Sequence, residues 1–270
     1  MKRSHFNRLT LAAVLAAGFI VSSCGSVALT GRKQVLLVSD QEVYEAGLTQ
    51  YKEYISTSTL SSDSKSTAMV KTVGQNLASA TEKYLKDNGL ETELSNFSWE
   101  FNLVKDTQVN AFCMPGGKIV VYEGLLTVAQ NENELAVVLG HEIAHAVAKH
   151  SNERMSQEIL AQYGMAILSS ALSQKSAAIQ NTATTVFGLG AQVGFMLPYS
   201  RKHEYEADYM GIVFMELAGY DSNSAIDFWT KMASGSGSQS DLLSTHPSDE
   251  KRINELKKRI PEAKAIAGRK

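Results

Sequence analysis

The chain has 270 residues, of which 44% are hydrophobic, enough to bury the core of one sizeable globular domain. Its formal net charge is −2, and neither a block of Lys and Arg residues nor a basic stripe with interleaved aromatic rings is present, which argues against nucleic acid as a partner. With two cysteines in all, the protein is not a disulfide scaffold.

The start of the chain is typical of a bacterial signal peptide. Three basic residues lie among the first eight, and an apolar run follows over residues 9–21. This run suits a signal-peptide core and is too short to span a membrane. Removing residues 1–23 leaves 23 basic and 28 acidic residues, a net charge of −5.

The next residues resemble the cleavage box of bacterial lipoproteins. Residues 21–24 read Val-Ser-Ser-Cys, which predicts that Cys24 receives a lipid and anchors the protein to a membrane. The alternative is a simple secretory signal followed by an unrelated cysteine. Gly25 stands where an Asp would indicate inner-membrane retention, so we expect the periplasmic face of the outer membrane. Residues 24–38 then form an extended tether.

Residues 39–270 predict a single, mainly α domain (α+β) with a small β-sheet. Residues 234–240 begin with Ser-Gly repeats and predict a flexible linker. Polar residues interrupt every apolar run in residues 157–197, which therefore predict two amphipathic helices and no membrane spans. Other helices are predicted near residues 40–55, 63–87, 131–156, 203–217, 223–233 and 248–259, and strands over residues 99–103 and 118–122.

The sequence HEIAH at residues 141–145 is the candidate metal site. Positions i and i+4 share one face of a helix, so His141 and His145 can present two imidazole nitrogens to one ion. Glu142 lies beside the first of them and can accept a proton from water, as a zinc hydrolase requires. The motif arises by chance in roughly one chain in a hundred of this length, so it needs support from elsewhere.

A third ligand is available in SRKHEYEAD, residues 200–208. Glu204 can complete a set of two His and one Glu around one Zn²⁺ per chain, leaving an open position for water. Asp208 lies one turn further on and can accept the N–H of a ligating His. Glu206 is the weaker candidate for the same ligand position.

The strand before the metal helix is a candidate for substrate binding. Zinc proteases hold an extended peptide against a sheet edge by backbone hydrogen bonds. We therefore expect Gly117, Lys118, Ile119 and Val120 to form a substrate-binding edge strand, with glycine allowing close backbone approach. A purely structural strand is the alternative.

Together these stretches resemble the gluzincin peptidases related to the CAAX prenyl protease. That family includes a bacterial membrane heat-shock protease, a mitochondrial stress protease, and lipoprotein or chaperone-like proteases of the outer membrane. The resemblance implies a zincin-like helical metalloprotease domain with zinc on His141, His145 and Glu204 and with Glu142 as catalytic base. Because no spanning helices follow HEIAH, the soluble lipoprotein branch fits best. Four ordered stretches carry the resemblance: VNAFCMPGGKIVVYEGLL (109–126), ELAVVLGHEIAHAVAKH (134–150), SRKHEYEAD (200–208) and STHPSDEKRI (244–253).

Donors for a developing negative charge remain open among His246, Arg201 and His203. In the lipoprotein branch the residue that matches His246 lies on a loop that can cover the zinc. We therefore interpret His246 as a removable fourth ligand, with a surface histidine that caps a helix as the alternative. We expect His150 and His203 to be solvated helix residues.

The second cysteine, Cys113, is predicted to be a small buried apolar side chain, with a redox or zinc-contacting role as the alternative.

The leading functional prediction is a lipid-anchored zinc endopeptidase that degrades misfolded or unfolded polypeptides of the cell envelope. The alternative is a latent, chaperone-like binding factor that docks on the outer-membrane assembly machinery with little proteolytic activity. A third hypothesis is an inert helical lipoprotein without metal. The first two hypotheses differ in their requirement for Glu142, because only the enzyme needs this residue as a base.

Overall fold

The computed structural model describes residues 24–163, 177, 179, 181–182, 200–233, 242–243, 246 and 250–268. The predicted signal peptide, most of the two helices predicted within residues 157–197, and the predicted linker lie outside the described residues. Within them the elements are β1 (Cys24–Ser26), β2 (Lys33–Val35), α1 (Asp40–Thr57), α2 (Ser64–Asp87), β3 (Glu100–Val104), β4 (Ala111–Met114), β5 (Lys118–Tyr122), α3 (Glu132–Val147), α4 (His150–Tyr163), α5 (Arg201–Leu217), α6 (Ser224–Lys231) and α7 (Glu250–Ala267).

The mainly α fold with a small β component is confirmed. Side chains cap the helices where the sequence indicated: Ser39 forms a capping box with Glu42, and Asn131 accepts the backbone N–H of Glu134. Helix α7 continues past its predicted end through Pro261, because the buried Ile260 and Ala263 keep that stretch on the core. None of the described helices is long and apolar enough to cross a membrane.

The main sheet has three strands in the order β3-β5-β4. Strand β5 runs parallel to β3 and antiparallel to β4, so that Ile119 lies between Phe101 and Cys113. The prediction that Gly117, Lys118, Ile119 and Val120 form an edge is therefore wrong, because both sides of β5 are paired. The edge strands are β3 and β4: β4 pairs with β5 alone among the described strands, whereas Val104 of β3 also forms an isolated bridge with Leu60.

Both faces of this sheet are covered by helices. Ala111, Cys113, Ile119 and Val121 belong to the core formed with α2, α3 and α5. On the opposite face the sheet packs against Tyr51 and Tyr54 of α1 and against Met155 and Ile159 of α4. The buried sheet residues on this face include Phe112, Met114, Val120 and Tyr122. Burial on both faces explains why β5 is an unbroken apolar run apart from Lys118.

The N-terminal segment is folded onto the domain rather than extended. Strands β1 and β2 pair antiparallel, and Val27 between them is buried in the main core. The backbone N–H of Leu37 donates to Ser156 Oγ at 2.9 Å, and Asn152 Nδ2 donates to the carbonyl of Val38 at 3.0 Å. The prediction of an extended tether over residues 24–38 is therefore wrong, because these contacts fix the segment against α4.

The helix predicted over residues 131–156 is broken into α3 and α4. The break falls at Lys149, whose φ of 57° is left-handed and uncommon for a residue with a side chain. Two carboxylates stabilise this conformation, since Lys149 Nζ lies 2.6 Å from both Asp40 Oδ2 and Glu93 Oε2. These partners are distant in sequence, so a local pattern does not predict the break.

Helices α3 and α5 approach each other closely at two glycines. A Cβ on Gly211 would lie 3.0 Å from the backbone nitrogen of His141, and one on Gly140 would lie 3.0 Å from the carbonyl oxygen of Gly211. Glu204, Asp208 and Gly211 follow the spacing of one helix face. The glycine contact therefore sets the distance between the HEIAH helix and the helix that carries the third candidate ligand.

We expect Gly211→Ala to lower the free energy of unfolding by about 1–3 kcal/mol, because the added methyl group meets backbone atoms that cannot move independently. Helix propensity alone predicts the opposite sign, a gain of about 0.5–1 kcal/mol. Urea denaturation of the two proteins measures the difference. Gly268→Ala, at an exposed position just after α7, is the control and should change stability little. A stabilised Gly211→Ala protein would contradict the close contact.

Candidate metal centre

Four buried side chains from three parts of the chain converge between α3 and α5. The nearest nitrogen or oxygen atoms of His141, His145, Glu204 and His246 all lie within 4.8 Å of one another. The two HEIAH nitrogens Nε2 are 3.0 Å apart, and each lies 3.4 Å from a carboxylate oxygen of Glu204. His246 Nδ1 lies 3.1 Å from both His141 Nε2 and Glu204 Oε1.

These distances fit a tetrahedral metal site. Ligands bound tetrahedrally at zinc's usual bond lengths of about 2.0–2.1 Å are roughly 3.3 Å apart, and the observed separations are 3.0–3.4 Å. Glu204 Oε2 is buried and accepts no hydrogen bond from any described residue, although Arg252 Nη1 lies 3.1 Å from it as an ion-pair partner. A bound metal cation would supply the direct contact that this buried oxygen lacks.

The electrostatics of the cluster also favour a cation. Burial alone would lower the pKa of His141, but the carboxylates of Glu204 and Asp208 raise it to about 9. His145 behaves differently, because burial holds its pKa well below the usual value and keeps its ring neutral, the form that binds a metal. The carboxylates therefore favour a positive charge at the His141 imidazole. A bound metal ion can supply that charge in place of a proton on the ring.

Asp208 contacts the candidate ligand His141 on the side away from the cluster. Its Oδ1 lies 2.9 Å from His141 Nδ1, which leaves His141 Nε2 directed at the cluster. Arg252 holds Asp208 in turn, with Nε 2.5 Å from Oδ2 and Nη2 2.7 Å from Oδ1. The same guanidinium lies over the ring of Trp229 at 3.9 Å and donates to the carbonyl of His246 at 3.2 Å.

Arg252 was not predicted from the sequence. Arg201, His246 and His203 were the candidate donors for negative charge, and Arg201 is exposed at the first position of α5. Arg252 is 1% exposed, and it occupies the first position of the buried face of α7, followed by Leu256 and Ile260 at intervals of four. A charged residue in register with an apolar stripe was the signal that could have found it.

Glu142 lies beside the cluster and is held by the edge strand β4. Its Oε2 accepts the backbone N–H of Cys113 on β4 at 3.0 Å, and its Oε1 lies 3.3 Å from His246 Nε2. Burial raises the pKa of Glu142. A carboxylate with a raised pKa, fixed next to a metal site, is suited to accept and release a proton.

The prediction that His150 and His203 are solvated helix residues is wrong. His150 is 0% exposed and His203 is 3% exposed, and their rings stack with centroids 4.4 Å apart. His246 is also buried, which excludes the alternative of a surface histidine. Each of these three histidines contacts a carboxylate. His150 Nε2 lies 3.0 Å from Glu206 Oε2, His203 Nε2 lies 3.1 Å from Glu153 Oε2, and His246 Nδ1 lies 3.1 Å from Glu204 Oε1.

Cys113 is buried, as the sequence predicted, and its Sγ–H donates to the carbonyl of Met114 at 3.3 Å. Burial raises the pKa of its thiol well above the usual value, so the sulfur is protonated and poorly suited to bind metal.

Comparison with known proteins matches residues 67–260 to peptidase family M48. Over 180 residues the chain is 37% identical to the mitochondrial metalloendopeptidase OMA1 of Schizosaccharomyces pombe, covering 63% of this chain and 49% of the relative. It is 31% identical over 247 residues to the mitochondrial metalloendopeptidase OMA1 of Homo sapiens, covering 88% of this chain and 44% of the relative.

A bacterial relative is the putative beta-barrel assembly-enhancing protease of Vibrio cholerae, 33% identical over 169 residues, 59% of this chain and 34% of the relative. The matches thus span about half or less of the length of these relatives. The family match itself covers most of the chain, including α3, α5 and the start of α7, and it agrees with the resemblance seen in the four sequence stretches. This chain therefore belongs to peptidase family M48.

Proposed function

We propose that the protein is a zinc-dependent endopeptidase. The observation that carries this proposal is the cluster of His141, His145 and Glu204 at tetrahedral separations with the Glu142 carboxylate beside it. When bound, zinc supplies Lewis acidity, which polarises a peptide carbonyl and makes water a nucleophile near neutral pH. The family membership supports the same activity.

Glu142 acts as the proton carrier in this proposal. It takes the proton from the attacking water and returns it to the amine that leaves. The hydrogen bond from the Cys113 N–H fixes one oxygen of Glu142 and leaves the other directed towards His246 and the metal cluster. The buried site excludes bulk water, which strengthens each of these interactions.

We propose that substrate binds along the edge strand β4, in place of the strand expected from the sequence. Among the described strands β4 pairs with β5 alone. The N–H groups of Ala111 and Cys113 already donate to Asn110 Oδ1 at 2.9 Å and Glu142 Oε2 at 3.0 Å, so a bound peptide would pair with the other backbone groups of this edge. An extended peptide can pair with such an edge by backbone hydrogen bonds. A cavity beside His145, lined partly by Tyr44 and Pro115, offers space for a substrate side chain.

The proposed substrates are unfolded or misfolded polypeptides of a bacterial cell envelope. The lipoprotein-like residues 21–24 support a membrane anchor on Cys24, at the periplasmic face of the outer membrane, and the bacterial relatives are beta-barrel assembly-enhancing proteases. The second candidate function, a binding factor for outer-membrane assembly machinery, is supported by the names of those same relatives.

We further propose that His246 is a removable fourth ligand. Its Nδ1 lies 3.1 Å from Glu204 Oε1 and its Nε2 lies 3.3 Å from Glu142 Oε1, so the ring stands where water and substrate must enter. While it remains there, the site has no open position and the enzyme is latent. Movement of the His246 ring away from Glu204 and Glu142 would open the site.

Glu142→Gln should lower the rate of casein cleavage by at least about 100-fold, because the amide cannot accept the proton. Zinc content, measured by elemental analysis of the purified protein, should be unchanged. Glu132→Gln, an exposed change in the first turn of the same helix, is the matched control and should cleave normally.

The same pair of variants separates the two candidate functions. If Glu142→Gln cleaves casein like the wild type, Glu142 is not the proton carrier and the proposed mechanism fails. If neither the wild type nor His246→Ala cleaves unfolded substrates but both proteins bind them and retain zinc, the binding factor is favoured.

His246→Ala should raise the rate of casein cleavage several-fold, because the position over the metal is freed for water and substrate. Zinc content should remain at one ion per chain, since three ligands are left. A variant that keeps its zinc and loses activity would instead assign His246 to stabilising negative charge in the transition state, and the latch proposal would be wrong.

A further inference from the structure

A second buried network lies behind His145, on the side away from the metal cluster. His145 Nδ1 lies 2.9 Å from His150 Nδ1, and His150 Nε2 lies 3.0 Å from Glu206 Oε2. Arg32 closes the network by donating its Nε–H to the same Glu206 oxygen at 2.6 Å. The network therefore runs from a candidate metal ligand on α3 to the N-terminal hairpin.

The contact between the two imidazoles requires one ring to donate and the other to accept. If His150 Nδ1–H donated to His145, then a neutral His145 would carry its proton on Nε2 and could not bind a metal through that atom. In the opposite arrangement His145 Nδ1–H donates, His145 Nε2 carries no proton, and His150 carries its proton on Nε2. This second arrangement is the one that a metal site needs.

Glu206 selects that arrangement. Its carboxylate accepts hydrogen bonds only, so His150 Nε2 must carry the proton that faces it. The hydroxyl of Thr30 donates to the other oxygen of Glu206. Arg32 pairs with the same carboxylate, with its Nε 2.6 Å from Glu206 Oε2, so three donors hold Glu206 as the acceptor.

The break between α3 and α4 makes the contact between the rings possible. In a continuous helix residues five apart point roughly 140° away from each other, so His145 and His150 would not meet. The left-handed backbone of Lys149 changes the direction of the chain and places the two Nδ1 atoms within hydrogen-bond distance. The break at Lys149 therefore allows His150 to contact the candidate metal ligand His145.

Arg32 links the network to a segment that lies before the family match, which begins at residue 67. Its Nη1 and Nη2 donate to the two oxygens of Glu153 at 3.0 and 2.7 Å, while its Nε holds Glu206. Glu153 also contacts a buried histidine, since His203 Nε2 lies 3.1 Å from Glu153 Oε2. Glu153 and Glu206 are both buried, and each contacts Arg32 and one histidine. Among the contacts described, only the histidine of Glu206, His150, contacts a candidate metal ligand.

We infer that His150 and Glu206 are positioning residues of the metal site. They fix His145 in the tautomer that presents Nε2 to the ion, and Arg32 of the N-terminal hairpin holds Glu206 in place. The inference rests on the zinc site of the proposed function. It assigns the hairpin a role in metal binding as well as in folding.

The test measures the zinc affinity of the full chain by competition with a chromogenic chelator. Glu206→Ala and His150→Phe should each weaken zinc binding by about 10–100-fold, the usual effect of losing a residue that orients a metal-bound histidine. Glu206→Gln should fall between wild type and Glu206→Ala, because its amide oxygen can still accept from His150. Arg32→Ala should weaken binding in the same direction by a smaller factor.

Glu153→Ala is the matched control, because it also leaves Arg32 with one carboxylate and removes a contact to a buried histidine. In the absence of zinc, Glu153→Ala should lower thermal stability about as much as Glu206→Ala does. Its zinc affinity should stay within about threefold of wild type. Equal zinc affinities in Glu206→Ala and Glu153→Ala, whether both weakened or both unchanged, would overturn the inference.

The Arg32→Ala and Glu206→Gln variants keep the test decisive if Glu206→Ala does not fold, since each leaves more of the network intact. Wild-type affinity in both would overturn the inference. Zinc affinity is measured without substrate, so a failure of peptide cleavage would count against the proposed function alone.

Discussion

Burial of charge between α3 and α5 is the constraint on which the rest of this structure depends. Two imidazoles and one carboxylate are removed from water there, and an isolated charge in such a place is costly unless it is paired. The chain supplies part of the compensation itself, through the bidentate contact of Arg252 with Asp208 and the stacking of the guanidinium on Trp229. Arg252 Nη1 also lies 3.1 Å from Glu204 Oε2, which accepts no hydrogen bond from the described residues, and a metal cation would complete the compensation there.

The fold holds these groups at fixed separations. Every residue from Leu135 to His145 is buried, so α3 is enclosed by other elements and cannot rotate without disturbing the core. Contact through Gly140 and Gly211 sets its distance from α5, and strand β4 places a backbone N–H against Glu142. A site built on packed helices and a sheet is more rigid than one built on loops. Preorganisation of this kind is what a hydrolytic site needs.

Much of the site followed from local sequence rules. The i, i+4 spacing predicted that His141 and His145 share a face, and the same spacing on α5 predicted the relation of Glu204 to Asp208; both relations are present in the structure. The bounds of β5 were also predicted, because an apolar run after a Pro-Gly-Gly turn is a strong local signal.

The features that sequence reasoning missed depend on contacts between distant residues. The order of strands within a sheet is one such feature, so β5 was taken for an edge although it lies in the centre. His150 was taken for a solvated residue because the break at Lys149, which turns it inward, is stabilised by Asp40 and Glu93 from elsewhere in the chain. Arg252 was missed for the same reason, since its partners lie on other elements.

The central claim is that two imidazoles and one carboxylate bind a single zinc ion. X-ray absorption at the zinc edge, on the purified wild-type protein with its metal content measured, tests it most directly. We expect one zinc per chain with nitrogen and oxygen ligands at about 2.0–2.1 Å and with the scattering of imidazole rings. A protein that takes up no zinc, or a spectrum dominated by sulfur at about 2.3 Å, would contradict the account.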